Sequence, residues 1–275
     1  MWSMTRTVVI TGATSGIGLE AAKQLARPGT SLALVARRPA VLADVARQCS
    51  GADDVRTFVT DFSSQASVRT LADDLLAAYE QIDVLALNAG GVFAEREVNG
   101  DGIEMTFATN HLGPFLLAEL LKHRMVTSAP SRIILTSSIG HYRGTLDFTD
   151  LGFEQNYAIM KAYGRSKLAN VLYGRHLARE LAGTGVEVVS FHPGGVATNI
   201  WDDAPRWAKP FLALGKLFMD SPATGGSRLV RLVDQPVESG AYYSDNQVTE
   251  PSRIALNASV GNRLVEVSRH LVGLG

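Results

Sequence analysis

The chain has little of what stabilises secreted proteins or binds nucleic acid. It contains one cysteine, Cys49, among 275 residues, so it cannot form an internal disulfide. Its formal net charge is −1, from 26 basic and 27 acidic residues, and such a balance does not favour nucleic-acid binding. Because sparse cysteine is typical of proteins in reducing compartments, we expect a cytoplasmic protein.

Long apolar runs are also missing. No run reaches the roughly 20 residues of a membrane-spanning helix, and residues 1–6 have no basic and apolar segments of a signal peptide. We therefore expect no membrane association, and we assign no metal ligands. Hydrophobic residues make up 46% of the chain, and no Pro/Gly/Ser-rich linker divides it. These features predict a single domain over residues 1–275.

Short apolar runs alternate with helical patterns along the chain. Strands are predicted at Thr7–Ile10, Ser31–Ala36, Val55–Thr60, Ile82–Leu87, Arg132–Thr136, Val186–Phe191 and Ala241–Tyr243. Helices are predicted at Ile17–Ala26, Pro39–Gln48, Gln65–Glu80, Ile103–Val126, Ala158–Ala182, Ala223–Val233 and Asn262–Val272. This alternation predicts an α/β, Rossmann-type, doubly wound parallel sheet of about seven strands, with helices on both faces. Ligands of such sheets bind at the carboxyl ends of the strands.

A glycine-rich stretch, Thr11–Gly18, connects the first predicted strand to the first helix. Glycines allow the backbone to turn tightly and approach a pyrophosphate, and the helix N-terminus attracts its negative charge. The alternative is a strand-to-helix turn without a ligand. The candidate cofactor contacts in this stretch are Gly12, Thr14, Ser15, Gly16, Ile17 and Gly18.

Two arginines, Arg37 and Arg38, follow the second predicted strand. A dinucleotide fold that prefers NAD carries Asp or Glu near this point, to accept from the ribose 2′-hydroxyl. A guanidinium instead suits a 2′-phosphate, so the pair predicts NADP in preference to NAD, with Arg37 as the first candidate. The alternative is a pair of solvated arginines.

Two further motifs follow the third and fourth predicted strands. Asp61 and Phe62 could hold the edge and face of an adenine, or could belong to the N-terminal cap of the next helix. Asn88, Ala89 and Gly90 allow a flat cofactor to approach the backbone, although Asn88 could simply tie a turn.

The candidate catalytic residues lie in the second half of the chain. Tyr163 and Lys167 share one helix face at i and i+4, and a lysine ammonium favours the phenolate form of a tyrosine. Tyr163 then becomes a usable general acid or base, and Ser138 can donate to a carbonyl oxygen. Asn110 is a polar residue within an apolar helical pattern, which indicates a local hydrogen-bonding role.

Two interpretations accompany this assignment. Tyr157 and Lys161 match the same Y-x-x-x-K spacing, but Tyr157 lies at the helix entrance, so we prefer Tyr163. We interpret His111 as structural.

After the sixth strand, a Pro-Gly loop is predicted to cross the nicotinamide, with Thr198 bonding the carboxamide. Its candidate cofactor contacts are Pro193, Gly194, Val196 and Thr198. Residues 199–222 are irregular and rich in large apolar groups. They are interpreted as a lid over an apolar substrate or, alternatively, as helices packed on the core or on a partner subunit.

Taken together and in this order, the motifs resemble the short-chain dehydrogenase/reductase family, and most closely its retinol-dehydrogenase-like branch. The branch resemblance is carried by Asn110–Phe115, by Ala162–Leu172 and by Gly240–Ser244. Animal members of that branch often carry a membrane anchor. We expect none here, so neither membrane residence nor retinoid use is carried over.

The resemblance implies a role for each matching residue. Asn110 would position a water in a proton relay, Ser138 would bind the substrate oxygen, and Tyr163 would transfer the proton. Lys167 would hold the nicotinamide ribose and lower the pKa of Tyr163. The family also implies a homodimer or homotetramer, built on the helices that hold Asn110 and Tyr163.

The sequence thus predicts an NADP-dependent oxidoreductase that interconverts a carbonyl and an alcohol on an apolar small molecule. Two alternatives remain open at this point. One is an enone reductase that acts on a carbon–carbon double bond, and the other is a non-catalytic NADP-binding sensor or scaffold.

Overall fold

The computed structural model describes residues 5–195 and 220–275. Within these ranges the strands form one eight-stranded sheet in the order β3-β2-β1-β4-β5-β6-β7-β8. The strands are β1 (Arg6–Thr11), β2 (Thr30–Ala36), β3 (Asp54–Val59), β4 (Val84–Leu87), β5 (Ser131–Thr136), β6 (Val186–His192), β7 (Tyr242–Ser244) and β8 (Gln247–Thr249). Neighbours from β3 to β7 pair in parallel, and β8 alone is antiparallel, to β7.

Helices connect the strands and cover both faces of the sheet. They are α1 (Gly16–Leu25), α2 (Pro39–Gln48), α3 (Gln65–Ala78), α4 (Met105–Phe107), α5 (Gly113–Thr127), α6 (Ile159–Glu180), α7 (Pro222–Asp234) and α8 (Ala258–Leu271). Alternate residues of β1 enter different cores: Val9 packs with α3, α5, α6 and α8, whereas Val8 and Ile10 pack with α1, α2 and α7. The predicted Rossmann-type architecture is confirmed.

The eighth strand is the main departure from the sequence prediction of about seven. It forms a hairpin with β7 through Asp245 and Asn246, whose φ angles are 49° and 64°. Asp and Asn tolerate this left-handed conformation, which two-residue hairpin turns require. Because β8 has only three residues and is largely exposed, it has too short a pattern to be recognised from the sequence.

The order of the sheet places the predicted motifs along one edge. Consecutive connections run outward from β1 to β3 and then return to β4 on the other side of β1, so the direction switches between β1 and β4. The glycine stretch follows β1, Asn88 follows β4, and Ser138 is the second residue after β5. These residues therefore gather at the carboxyl ends of central strands, where sheets of this kind bind ligands.

Some predicted features lie outside the described residues. They are the candidate contacts Val196 and Thr198 and residues 199–219 of the segment interpreted as a lid; Pro222, at its end, begins α7. In the two ranges that the structure covers, no helix combines the length and apolar character needed to cross a membrane.

Candidate active site

The glycine stretch forms a tight turn at the end of β1. Gly12 and Gly16 have φ angles of 72° and 52°, a left-handed conformation that side chains other than glycine rarely adopt. At Gly18, a Cβ atom would overlap the Gly12 carbonyl and lie 2.7 Å from Asn88 Nδ2. Ser15 is exposed, and its side chain does not cap α1. The first turn of α1 is thus a suitable site for the pyrophosphate of a dinucleotide.

Thr11 and Asn88 join the ends of β1 and β4. Thr11 Oγ1 accepts hydrogen bonds from the backbone N–H groups of Asn88 and Ala89, both at 2.9 Å, and Asn88 Nδ2 donates to the Thr11 carbonyl at 3.1 Å. The side chain of Asn88 therefore ties the turn, as one of its two predicted interpretations requires. Gly90 lies beyond it and is exposed, and a Cβ there would come within 3.0 Å of Asn110 Oδ1 and 3.4 Å of Lys167 Nζ.

Arg37 and Arg38 lie at the end of β2, and both are exposed. Arg38 is the N-cap residue of α2, which begins at Pro39. Within residues 5–195 and 220–275, neither guanidinium makes a hydrogen bond or ion pair to another protein group. Both cations are therefore available at the edge of the sheet for a phosphate group.

The Asp61-Phe62 motif serves largely as a turn before α3. Asp61 Oδ1 accepts from the backbone N–H and the hydroxyl of Ser63 at 2.9 and 2.8 Å, and Ser64 caps α3 by accepting from Ser67 N–H at 3.3 Å. Phe62 is 5% exposed and belongs to the core beneath α3 and α5. The exposed Asp61 can still face an adenine edge, but the ring of Phe62 is occupied by core packing.

Asn110 lies in a π-helical turn, Ala108–Leu112, between α4 and α5. Its Oδ1 accepts from Gly91 N–H at 2.7 Å, and its Nδ2 donates to the Gly91 carbonyl at 2.9 Å and to Ser166 Oγ at 3.1 Å. The side chain thus holds the loop after β4 against α6. Its predicted role in positioning a water stays a prediction.

Ser138 and Tyr163 are brought together by close packing of their two elements. Ser138 is the N-cap residue of a 3₁₀ helix, Ile139–Arg143, and its side chain is hydrogen-bonded to that of Tyr163 in α6. Glycines allow this approach: a Cβ on Gly144 would overlap the Gly164 carbonyl, and one on Gly164 would lie 2.9 Å from the Gly140 carbonyl. The pair therefore forms one site, as predicted from their separate motifs.

Lys167 follows Tyr163 by one helical turn. Its Nζ donates to the Thr136 carbonyl at 3.3 Å and lies 5.5 Å from the centre of the Tyr163 ring. Burial lowers the pKa of Lys167 to about 8. The predicted lowering of the Tyr163 pKa is not found in the chain by itself: burial raises the pKa of Tyr163, and its hydrogen bond to Ser138 only partly opposes this effect.

The second Y-x-x-x-K pair has a different environment. Tyr157 precedes α6, and its hydroxyl donates to the Phe93 carbonyl at 2.9 Å. Lys161 is exposed. The geometry thus agrees with the preference for Tyr163.

Pro193 and Gly194 begin the loop after β6. Arg228 of α7 donates to the Pro193 carbonyl at 2.7 Å and forms ion pairs with Asp220 and Asp245, both at 2.6 Å. Gly194 has a φ of 95°, and an added Cβ would collide with the Arg228 guanidinium. Arg228 thereby anchors the start of this loop beside the site.

Three supporting residues were not identified from the sequence: Thr11, Ser166 and Asn170, whose Nδ2 donates to the Asn110 carbonyl at 3.0 Å. Thr11 opens the glycine stretch, so its position could have indicated a role. Asn170 is a polar residue in the apolar pattern of α6, which is the same signal that identified Asn110. Ser166 has no comparable signal, because its partner Asn110 is distant in sequence.

The described residues contain no group of three or more His, Cys, Asp and Glu side chains that could hold a metal ion. At one edge of the sheet, these residues instead place a glycine turn, two exposed arginines and a Ser–Tyr–Lys group.

The sequence profile of the short chain dehydrogenase family matches residues 6–209. The chain belongs to this family. It is therefore an oxidoreductase of the class that uses a nicotinamide cofactor.

Individual relatives place the chain in the retinol-dehydrogenase-like branch. Human retinol dehydrogenase 14 is 37% identical, over 98% of this chain and 86% of its own length. A Streptomyces protein, provisionally named as the daunorubicin C-13 ketoreductase DnrU, is 41% identical over 98% of this chain and 93% of its own. An uncharacterized Mycobacterium paratuberculosis protein of known structure is 30% identical, with a TM-score of 0.82 over 98% of this chain and 94% of that one.

Proposed function

We propose that this short-chain dehydrogenase is an NADP-dependent enzyme that interconverts a carbonyl and an alcohol on an apolar small molecule. The observation that carries the proposal is the Ser138–Tyr163 hydrogen bond, with Lys167 one helical turn away. This group lies at the same edge of the sheet as the glycine turn of Gly12–Gly18. A hydrogen-bond donor, a proton carrier and a cation are side chains that can assist carbonyl reduction.

Each side chain then has a distinct task. The nicotinamide, when bound, supplies or accepts the hydride. Ser138 donates a hydrogen bond to the substrate oxygen and fixes it beside Tyr163. In reduction, Tyr163 gives its hydroxyl proton to that oxygen as the alcohol forms, and in oxidation it takes the proton back.

The electrostatics of the site agree with reduction near neutral pH. In the cofactor-free chain, the raised pKa of Tyr163 keeps its hydroxyl protonated at neutral pH, which is the form that can donate a proton in reduction. Lys167, with a pKa of about 8, is mainly charged at pH 7 and stabilises the phenolate that remains after the transfer. An oxidised nicotinamide would add positive charge to the same region.

An apolar substrate is supported by two exposed side chains beside the catalytic pair. Ile139 follows Ser138 directly and is 64% exposed, and Met160, one helical turn before Tyr163, is 54% exposed. Large exposed apolar groups beside a polar site favour contact with an apolar ligand. The names of the relatives, which refer to retinol and to a daunorubicin ketone, also support an apolar substrate.

The substitution Tyr163→Phe tests the proton step. We expect turnover to fall by roughly 100- to 10,000-fold, the usual contribution of general acid–base catalysis, while NADPH binding is retained. NADPH oxidation with a panel of aldehydes, ketones and enones measures turnover, and product analysis separates carbonyl from carbon–carbon reduction. Tyr157→Phe is the matched control and should keep its activity; full activity in Tyr163→Phe would rule out the proposed role.

The substitution Arg37→Asp tests the choice of cofactor. Loss of a charge-assisted hydrogen bond to the 2′-phosphate should raise the Kd for NADPH by roughly tenfold or more, with little change for NADH. Fluorescence titration with both cofactors measures this difference. Arg47→Asp, the same charge change on the exposed side of α2, is the control, and an equal effect on NADPH and NADH would remove the basis for NADP preference.

A further inference from the structure

A chain of buried hydrogen bonds connects the C-terminal helix to the active site. His111 Nε2 lies 3.0 Å from Ser268 Oγ of α8, and His111 Nδ1 lies 3.1 Å from Asn170 Oδ1 of α6. His111 and Ser268 are 0% exposed, and Asn170 is 3% exposed. Three elements that are distant in sequence thus meet through side chains that water does not reach.

The direction of each hydrogen bond follows from the partners of Asn170. Its Nδ2 donates to two backbone carbonyls, those of Asn110 at 3.0 Å and Thr136 at 3.1 Å. Its Oδ1 therefore accepts, so His111 must carry its proton on Nδ1 and use Nε2 to accept from the Ser268 hydroxyl. Burial lowers the pKa of His111 to about 4, which keeps the ring neutral and this arrangement intact at pH 7.

The chain of bonds ends at the lysine of the active site. The Thr136 carbonyl that accepts from Asn170 also accepts from Lys167 Nζ at 3.3 Å. Tyr163, Lys167 and Asn170 stand at i, i+4 and i+7 on α6, so they share one face of the helix. A change in the position of Asn170 would therefore alter the acceptor that directs the Lys167 ammonium.

We propose that His111 and Asn170 are positioning residues for the active site, and that Ser268 contributes by keeping the His111 proton on Nδ1, where it faces Asn170. They hold the Asn110 and Thr136 carbonyls in place, and the Thr136 carbonyl in turn holds Lys167 beside Tyr163. This inference rests on the proposed function, in which Lys167 assists proton transfer by Tyr163. It gives His111 a functional role in addition to the structural one predicted from the sequence.

The two bonds of His111 can be separated by substitution. In His111→Asn, the side-chain amide can occupy the Nδ1 position and donate to Asn170, whereas the contact with Ser268 is lost. In His111→Gln, the longer side chain can reach the Nε2 position and accept from Ser268, whereas the donor to Asn170 is lost. If positioning is the role, His111→Asn should keep kcat within about threefold, and His111→Gln should lose at least about tenfold.

Two further variants distinguish positioning from loss of stability. Asn170→Ala should also lower kcat at least about tenfold. Leu264→Ala, a buried change in α8 outside the hydrogen-bond chain, should cost roughly 2–5 kcal/mol of stability but keep kcat within about twofold. All variants are assayed at a temperature where circular dichroism shows them folded. A kcat that follows the melting temperature, or a His111→Gln enzyme at least as active as His111→Asn, would overturn the inference.

A readout besides turnover separates this inference from the proposed function. The Lys167 side-chain NMR signal, observed in selectively labelled protein and assigned with Lys167→Met, reports the surroundings of the ammonium. It should move in His111→Gln and Asn170→Ala, and should stay in place in His111→Asn and Leu264→Ala. That pattern in a protein that reduces no carbonyl would retain the positioning network and reject the proposed function. An active wild-type enzyme whose Lys167 signal is the same in all variants would support the proposed function and reject the positioning network.

Discussion

Lys167 is 3% exposed in the described structure, and its ammonium is directed by a backbone carbonyl. Burial lowers its pKa from 10.5 to about 8, so the folded protein releases this proton at a lower pH than the unfolded chain does. Between about pH 8 and 10.5 the unfolded state binds more protons, and stability should rise with pH across that range. Keeping a charged Lys167 at neutral pH therefore costs folding free energy.

The substitution Lys167→Met removes this cost together with the cation. In the cofactor-free protein we expect the free energy of unfolding at pH 7 to rise, by up to roughly 3 kcal/mol, while turnover is lost. Urea unfolding at pH 7 and at pH 9.5 measures the effect, and the difference between variant and wild type should be smaller at the higher pH. Lys161→Met, at the exposed second motif, should change neither property, and a destabilised Lys167→Met would contradict the argument.

At the scale of elements, the site depends on how closely the 3₁₀ helix Ile139–Arg143 approaches α6. Gly144 and Gly164 face each other there with almost no space for a side chain, whereas a Cβ on Gly140 would meet the Tyr163 ring at 3.4 Å. This contact keeps Ser138 within hydrogen-bonding distance of Tyr163. Small residues on both elements are therefore required by the packing beside the catalytic pair, rather than by backbone conformation, since none of the three has a positive φ.

The substitution Gly144→Ala should separate the two elements. Its Cβ would overlap the Gly164 carbonyl, so we expect a stability loss of roughly 1–3 kcal/mol, and a lower kcat as Ser138 moves from Tyr163. Thermal unfolding and steady-state kinetics measure both effects. Gly100→Ala is the control, because a Cβ there meets open space. Unchanged kcat in a folded Gly144→Ala protein would show that this contact does not position Ser138.

At the scale of the whole molecule, α8 lies across α5 and α6. Arg269 of α8 pairs with Glu119 of α5 at 3.0 Å and with Glu180 of α6 at 3.4 Å, and residues 162–174 of α6 are all buried. α8 thus covers part of α5 and α6, the helices on which the family resemblance would build a subunit interface. The predicted homodimer or homotetramer stays a prediction, and an interface on these helices would have to use the surface that α8 leaves open.

The substitution Leu264→Asp should detach α8. Leu264 is 0% exposed, and an unpaired carboxylate at that position would be buried among apolar groups of α6 and α8. We expect a lower melting temperature and, because an apolar face becomes exposed, self-association in sedimentation velocity experiments. Glu266→Asp places the same residue at an exposed position of α8 and should change neither measurement. A Leu264→Asp protein with wild-type sedimentation and stability would show that α8 is not a required cover.

Sequence alone determined the features that depend on local pattern. Alternating strand and helix periods identified the Rossmann-type sheet. The glycines after β1 predicted a tight turn, which the positive φ angles of Gly12 and Gly16 bear out, while its use for a pyrophosphate stays a prediction. The i,i+4 spacing of Tyr163 and Lys167 places both on one helix face in any structure that contains the helix. Such features can be predicted because each depends on residues that lie close together in the sequence.

Only the tertiary structure decided the features that depend on contacts between distant segments. The ring of Phe62 is buried in the core, Tyr163 has a raised pKa, and α8 covers α5 and α6. The hydrogen bonds of His111 join positions 111, 170 and 268, a separation that no local pattern records. Burial and hydrogen-bond partners are properties of the packed chain, because they are set by whichever residues the fold brings together.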